Sequence, residues 1–182
     1  RQRQMCIRDR INNAGIAVSA PLVKVGDDTW DRTFELNVTA PFRLCRALAP
    51  KMVEAGWGRV ITIASNAGLT GYRYTAAYCA SKHAVIGMTR GLALDLATTG
   101  VTVNAICPGW VDTDMARQAV QRIADKTGQD VSAAKAALSN MSPQRRMVQP
   151  EEVAHVALML AADAAASING QSIVVDGGQV MK

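Results

Sequence analysis

The stretch RVITIAS, residues 59–65, decides the fold class, because a short run of β-branched and apolar residues is typical of a buried parallel strand. An alanine-rich segment with a helical pattern follows at residues 75–98, and Gly100 is placed to end that helix. A second run of the same kind, VTVNAIC at residues 101–107, predicts the next strand. A strand, a helix and a strand in this order predict a right-handed crossover between parallel strands.

The rest of the chain extends this pattern. Asp27 and Asp28 are candidate N-caps of a long helix, and Pro41 inside that helix predicts a kink or a break. The further predicted elements are this helix at residues 29–54, a helix at residues 151–162 and a strand at residues 172–175. We therefore expect an α/β fold with a Rossmann-like, doubly wound parallel sheet.

Composition and charge narrow the class of protein. The 182 residues are enough for one domain with a sizeable core. Residues 1–10 hold four arginines and one aspartate, so the net charge of +5 falls to +2 over the remainder, which argues against nucleic acid as a partner. No apolar run is long enough to span a membrane, and none follows the N-terminal arginines as in a secretory signal. Four widely spaced cysteines indicate reduced thiols and a cytoplasmic protein.

Two polar side chains four residues apart mark the candidate chemistry. Tyr78 and Lys82 share one face of a predicted helix. An ammonium group beside a phenol lowers the tyrosine pKa from about 10, which would make Tyr78 a general acid or base near neutral pH. Ser65 ends the preceding strand and could donate to a substrate carbonyl. The same residues could also be a chance pair on a solvated helix face and a serine that satisfies a loop amide.

The expected positions of other polar residues point to the same edge of the sheet. Asn37 is a poor helix former in the middle of a predicted helix, so it is either functional or tied to the kink near Pro41. Ligands of doubly wound sheets bind outside the carboxyl ends of the strands. Residues 12–15, Ser65 and residues 107–109 each follow a predicted strand, so we expect them to converge.

Six motifs occur in order along the chain. They are NNAG at residues 12–15, Asn37 in ELNVTAPF, Ser65 in ITIAS, YCASK at residues 78–82, VNAICPGWVDTDM at residues 103–115 and VVDGG at residues 174–178. In this order and spacing they resemble the classical short-chain dehydrogenase/reductase family over residues 11–182.

The resemblance implies an NAD(P)-dependent oxidoreductase that interconverts a carbonyl and a secondary alcohol without a metal. Tyr78 would exchange a proton with the substrate oxygen, and Ser65 would hold and polarise it. Lys82 would lower the pKa of Tyr78 and bind the nicotinamide ribose, while Asn37 would anchor a water of a proton relay. The residues implied to hold NAD or NADP are Asn13, Ala14, Gly15, Tyr78, Lys82, Pro108, Gly109, Val111 and Thr113.

The sequence also departs from the family pattern. It contains neither the glycine-rich TGxxxGxG turn for the pyrophosphate nor the charged residue that selects NAD or NADP. Residues 1–10 fit no predicted element, so we expect a non-native leader there. Residues 11–182 would be the C-terminal part of a single catalytic domain with a substrate lid at about residues 110–147. Such a chain, lacking three strands, would expose apolar sheet and aggregate.

The substrate class and the activity itself stay open at this point. The motifs favour a 3-oxoacyl or 3-hydroxyacyl substrate. A dehydratase or epimerase of the extended branch of the superfamily would share the Tyr-x-x-x-Lys spacing. An inactive fragment or a non-catalytic homologue could act as an interaction module instead. The candidate pocket residues are Asn66, Leu69, Tyr72 and Trp110.

Two further expectations concern carboxylates and assembly. Asp112 and Asp114 could form a paired-carboxylate site, but we expect a loop residue and an N-cap. In the family, the helices at residues 28–54 and 75–98 form a dimer face. The resemblance therefore implies a homo-oligomer, a dimer or a tetramer, for the full-length protein.

Overall fold

A four-stranded parallel sheet forms the centre of the structure, a computed structural model that describes residues 8–181. Its strands lie in the order β1-β2-β3-β4, and every neighbouring pair is parallel. They are β1 (Asp9–Asn12), β2 (Gly58–Ile63), β3 (Val101–Pro108) and β4 (Ser172–Val175). The Rossmann-like α/β fold expected from the sequence is confirmed.

Helices cover both faces of this sheet. They are α1 (Asp27–Phe34), α2 (Ala40–Glu54), α3 (Ala76–Asp95), α4 (Asp114–Thr127), α5 (Val131–Ser139) and α6 (Pro150–Ala161). On one face Val60 and Val103 pack with Met52 of α2, and on the other Ile61 and Ile106 pack against α6. All eight residues of β3 are buried, because a central parallel strand has no face in water.

The predicted helix at residues 29–54 is divided by one turn of π-helix, Glu35–Thr39. Pro41 lies in the first turn of α2, so the break that it predicts is present just before it. The wider π-turn holds Asn37 in the interior at 1% exposure. Gly26 is the N-cap of α1, and the two aspartates expected as caps lie in its first turn, where the helix dipole favours negative charge.

Two boundaries differ from those predicted. β1 includes Asp9 and Arg10, which pair with β2, although residues 1–10 fit no element predicted from the sequence. Residues 1–7 lie outside the described residues, and the non-native leader expected at residues 1–10 stays a prediction. Helix α3 ends at Asp95 rather than at Gly100, which has a φ of +80° in the turn before β3. A Cβ at Gly100 would collide with the carbonyl group of Gly56, so only glycine fits there.

The segment at residues 110–147, expected as a lid, contains two helices that the sequence pattern did not predict. Helices α4 and α5 pack on each other around a small core of their own. That core contains Ala116, Ala119, Val120, Ala124, Ala134, Leu138 and Met147. No helix within residues 8–181 is long and apolar enough to cross a membrane.

Candidate active site

The residues expected at the carboxyl edge of the sheet lie close to one another. A Cβ built on Gly15, after β1, would lie 3.2 Å from Asn37 Oδ1 and 3.6 Å from Lys82 Nζ. Ser65, two residues after β2, donates its backbone N–H to the thiol of Cys107 near the end of β3. The expected convergence of these three strand ends is therefore present, and glycine at position 15 permits close approach to the two polar side chains.

Lys82 is a buried cation at this edge. Its side chain is on α3 and the residue is only 6% exposed. Nζ donates to the carbonyl oxygen of Ile63 at 2.9 Å, and within residues 8–181 Lys82 forms no ion pair with a carboxylate. Burial lowers the pKa of Lys82 from 10.5 to about 8, against a smaller opposing effect of the nearby Cys107. An ammonium group has three donors, so two remain for a ligand.

The pKa of Tyr78 is raised above its ordinary value, whereas the sequence predicts that it is lowered. Its hydroxyl is hydrogen-bonded to the Ser65 side chain, which lowers the phenol pKa, but burial has the larger effect and raises it. The expectation that Lys82 lowers this pKa is wrong for this structure. The ammonium group bonds to the backbone and lies over the Tyr78 ring, 5.7 Å from the ring centre, rather than at the hydroxyl.

Ser65 has a structural bond as well as the contact with Tyr78. Its Oγ accepts a hydrogen bond from Ala67 N at 3.1 Å and caps the short 3-10 turn Asn66–Gly68. Ser65 therefore satisfies a loop amide, as one of the two interpretations predicts. This bond leaves the hydroxyl able to contact a substrate as well. Because the cap fixes the side chain, the hydroxyl is held at a defined position beside the tyrosine.

Asn37 fixes the loop that follows β1. Its Oδ1 accepts from Ile16 N at 2.9 Å, and its Nδ2 donates to Ile16 O and to Ser81 Oγ, both at 3.0 Å. These bonds use both amide donors and place Ile16, and with it Gly15, relative to α3. The expected role of Asn37 in a water relay stays a prediction.

The residues implied to hold the cofactor are divided between two loops. Asn13 and Ala14 are exposed, whereas Pro108 is buried at the end of β3. Val111 pairs with Val148 in an isolated bridge, and Thr113 is the N-cap residue of α4. Lys82 lies beside the first loop, near Gly15, and Tyr78 lies near Cys107, which directly precedes the second. A cleft of about 530 Å³ begins at Gly15 and runs between α1 and α4.

The nicotinamide half of a dinucleotide fits the residues present. Lys82 offers two unused N–H donors for ribose hydroxyls, and the absence of a side chain at Gly15 leaves space in front of them. Among residues 8–181, no group of three or more His, Cys, Asp or Glu side chains could hold a metal ion.

The two aspartates considered as a carboxylate pair are ordinary surface residues. Asp112 forms ion pairs with Arg117 and Lys135 at 3.5 and 3.2 Å. Asp114 is the first residue of α4 and pairs with Arg117 at 2.7 Å, while Thr113 takes the cap position expected for it.

Sequence reasoning missed the role of Asp176. This carboxylate is 4% exposed, directly follows β4, and binds Asn66, the residue after Ser65. The VVDGG motif was the available signal, but nothing in its pattern shows that the aspartate contacts the loop after β2.

Comparisons with known proteins agree with this geometry. The family described as enoyl-(acyl carrier protein) reductase matches residues 9–179. D-beta-hydroxybutyrate dehydrogenase of Cupriavidus necator is 39% identical over 93% of this chain, and 3-oxoacyl-(acyl-carrier-protein) reductase of Rickettsia conorii is 37% identical over 93%. A crystal structure of an actinorhodin polyketide ketoreductase variant with NADPH superposes with a TM-score of 0.91 at 37% identity, over 94% of this chain and 67% of that one.

The chain spans 66% of the length of each of these two enzymes.

Proposed function

Because the chain belongs to the classical short-chain dehydrogenase/reductase family, we propose that the whole protein is an NAD(P)-dependent oxidoreductase that interconverts a carbonyl and a secondary alcohol. One observation carries the proposal. A protonated phenol, Tyr78, is hydrogen-bonded to the hydroxyl of Ser65 and lies beside the buried ammonium group of Lys82.

Each of these groups has a distinct chemical task. When bound, the nicotinamide ring supplies or accepts the hydride. Ser65 holds the substrate oxygen, and Tyr78 donates its proton to that oxygen in reduction and takes it back in oxidation. Lys82 binds the ribose hydroxyls through its two remaining N–H groups, and its positive charge favours negative charge on the nearby oxygens.

The protonation states favour the reductive direction near neutral pH. Burial keeps the pKa of Tyr78 above its ordinary value, so the proton to be donated is in place. Lys82, with a pKa of about 8, is mostly charged at neutral pH. A proton donor and a nearby cation are both required when a carbonyl oxygen gains negative charge.

A 3-oxoacyl or 3-hydroxyacyl compound is the proposed substrate class. The proposal is supported by similarity to a hydroxybutyrate dehydrogenase and a 3-oxoacyl carrier-protein reductase. Asn66 and Tyr72, in the loop after Ser65, and Leu69 and Trp110 are the proposed lining residues. The cofactor is proposed to be NAD or NADP, bound by the two loops described above and by Tyr78 and Lys82.

Assembly and location complete the proposal. A dimer or tetramer is supported by exposed apolar side chains on α2 and α3, with Phe42 41%, Leu44 38% and Leu94 79% exposed. A cytoplasmic location is proposed on the wide spacing of the cysteines, of which Cys45, Cys79 and Cys107 are free within the described residues. Sedimentation of the whole protein tests the assembly directly.

The experiment for the activity is a hydride-transfer assay on the whole protein. NADH and NADPH are each offered with a 3-oxoacyl thioester, and NAD and NADP with 3-hydroxybutyrate, while the reduced nicotinamide is followed by absorbance. We expect turnover with one cofactor in at least one direction. Absence of turnover with all four combinations would contradict this substrate class and favour a non-catalytic homologue.

A further inference from the structure

The carboxylate of Asp176 accepts hydrogen bonds from two distant parts of the chain. Oδ1 accepts from Gly178 N and Gln179 N, both at 3.0 Å, and Oδ2 accepts from Val180 N at 2.9 Å. Oδ2 also accepts from Asn66 Nδ2 at 3.1 Å, which joins residues 110 positions apart. Asp176 forms no ion pair within residues 8–181, so its negative charge is held by neutral donors alone.

These bonds extend to the loop between Ser65 and Tyr78. Asn66 directly follows Ser65 and is 4% exposed. The hydroxyl of Tyr72, in the same loop, accepts from Gln179 Nε2 at 2.9 Å and is also hydrogen-bonded to Asn66. Asp176 and Gln179 therefore hold two polar side chains of this loop, Asn66 and Tyr72, through hydrogen bonds.

The Cα and Cβ atoms of Asp176 lie against the loop after β3. A Cβ at Gly109 would lie 2.8 Å from Asp176 Cβ, and Gly109 N donates to Val175 O at 3.0 Å. The residues after β4 thus fix the loops after β2 and β3 relative to each other. Both loops bear residues of the active site proposed above.

We propose that Asp176 and Gln179 are positioning residues, which hold Asn66 and Tyr72 as a polar wall whose unused donor, the hydroxyl proton of Tyr72, binds a neutral oxygen of the substrate beside the reacting carbonyl. This inference rests on the proposed function. Asn66 and Tyr72 are uncharged, and the buried carboxylate of Asp176 accepts a hydrogen bond from Asn66 and lies close enough to Tyr72 to raise its pKa. Such a wall accepts the carbonyl oxygen of a thioester or an ester and repels a free carboxylate.

The electrostatics of Tyr72 agree with this arrangement. Burial raises the pKa of its phenol most, and the Asp176 charge raises it further, while hydrogen bonds from Asn66 and Gln179 lower it. Tyr72 therefore remains a neutral phenol under ordinary conditions.

The test compares two substrates of equal chain length, a 3-oxoacyl thioester and the free 3-oxo acid, in the whole protein. Asp176→Asn is expected to lower kcat/KM for the thioester roughly tenfold or more, because Asn66 loses its acceptor. The same variant should lower kcat/KM for the free acid much less, since a repulsive charge is also removed. Gln179→Leu should raise KM for the thioester and leave kcat near its wild-type value. Asp125→Asn and Gln129→Leu, both on the exposed surface, are the matched controls.

An equal loss of kcat/KM for both substrates in Asp176→Asn would overturn the proposal and leave Asp176 a purely structural residue.

A second measurement needs no turnover. Ultraviolet titration of the tyrosines, with Tyr72→Phe to assign the signal, should show a lower Tyr72 pKa in Asp176→Asn than in the wild type. An unchanged Tyr72 pKa would also overturn the proposal. If the wild type reduces neither substrate, the proposed function fails, while this titration still decides whether Asp176 acts on Tyr72.

Discussion

Two buried cations lie at opposite ends of strand β2, and their surroundings differ. Lys82 contacts the carboxyl end through the carbonyl oxygen of Ile63 and is 6% exposed. Arg59, at the amino end, is 2% exposed and donates to the carbonyl oxygens of Gly58 and Gly100 at 2.9 and 3.3 Å. Neither forms an ion pair with a carboxylate within residues 8–181.

The difference lies in what encloses each charge. The Arg59 guanidinium stacks on the Trp57 ring at 4.3 Å, so it is closed in by protein, and its Nε has no hydrogen-bond partner within the described residues. Lys82 instead lies near Gly15, where no side chain blocks the approach of a ligand. A buried charge costs free energy in both places. At the amino end the Arg59 guanidinium packs on Trp57, and at the carboxyl end the proposed function uses the Lys82 ammonium group to bind the cofactor.

The largest expected effect is on proton donation at the carboxyl end. Tyr78→Phe removes the proposed donor and should lower the rate of hydride transfer by the whole protein roughly 100- to 10,000-fold. Tyr74→Phe, at an exposed tyrosine, is the matched control and should keep the wild-type rate. Steady-state kinetics of the two variants measure the difference. Equal rates for Tyr78→Phe and the wild type would remove Tyr78 from the mechanism.

Substituting methionine for each cation should separate the two ends of the strand. Lys82→Met should abolish most of the activity and leave stability equal or higher, since a buried charge is removed. Arg59→Met should leave activity unchanged but lower the free energy of unfolding by about 1–3 kcal/mol, because Gly58 and Gly100 lose their donor. Urea denaturation and kinetics on both variants check this. A loss of activity in Arg59→Met with the stability unchanged would mean that the two cations do not differ as described.

Loss of the Asn37 side chain should lower the free energy of unfolding, as loss of the Arg59 side chain does. Asn37→Ala leaves the N–H and carbonyl groups of Ile16 and the hydroxyl of Ser81 without this partner. We expect the free energy of unfolding to fall by about 2–4 kcal/mol. Asn140→Ala, in an exposed position, is the control and should cost much less. Equal stability of both variants would show that the π-turn is held by other contacts.

The free energy of unfolding should depend on pH because Lys82 titrates at a different pH in the folded and unfolded protein. Its pKa is about 8 in the folded protein and 10.5 ordinarily, so the unfolded chain binds more protons between these values. The free energy of unfolding should therefore rise with pH from about 8, by roughly 3 kcal/mol at most by pH 10.5. Cys107, whose pKa burial raises from 9.0 to about 11, has the opposite effect between these two values.

Urea denaturation between about pH 8 and 9 isolates the lysine. The slope of stability against pH in the wild type should exceed that of Lys82→Met in this interval. Identical slopes would show that the ammonium group titrates as it would in water.

The smallest expected effect concerns the two aspartates on the surface. Asp114→Asn should leave hydride transfer within about twofold of the wild type, because exposed ion pairs contribute little. A large loss of activity on this substitution would revive the paired-carboxylate interpretation.

The central fold could be predicted from the sequence, because it depends on local patterns, whereas the roles of the candidate site residues stay predictions. The β-branched runs at β2 and β3 predict buried strands, and the spacing of Tyr78 and Lys82 follows from helix geometry. The pKa of Tyr78 could not be predicted in this way. Its direction depends first on how deeply the phenol is buried and then on whether Lys82 reaches the hydroxyl or the backbone of Ile63, which only the tertiary structure shows.

Long-range contacts account for the other differences. Nothing local in VVDGG shows that Asp176 binds Asn66 across 110 residues. The π-turn around Asn37 is stabilised by Ile16 and Ser81, which come from other elements. Asp9 and Arg10 lack strand character in sequence and are strand residues because β2 pairs with them. In each case tertiary contacts override a weak local preference.

Transfer of a labelled hydride tests the central claim most directly. The whole protein is given NADH or NADPH carrying deuterium at the transferable position, together with a 3-oxoacyl thioester, and the product is analysed by mass spectrometry. The account predicts a 3-hydroxyacyl product with one deuterium on the carbinol carbon, formed by the wild type and nearly absent with Tyr78→Phe. A product without deuterium would contradict it. So would equal amounts of labelled product formed in the same time by the wild type and by Tyr78→Phe.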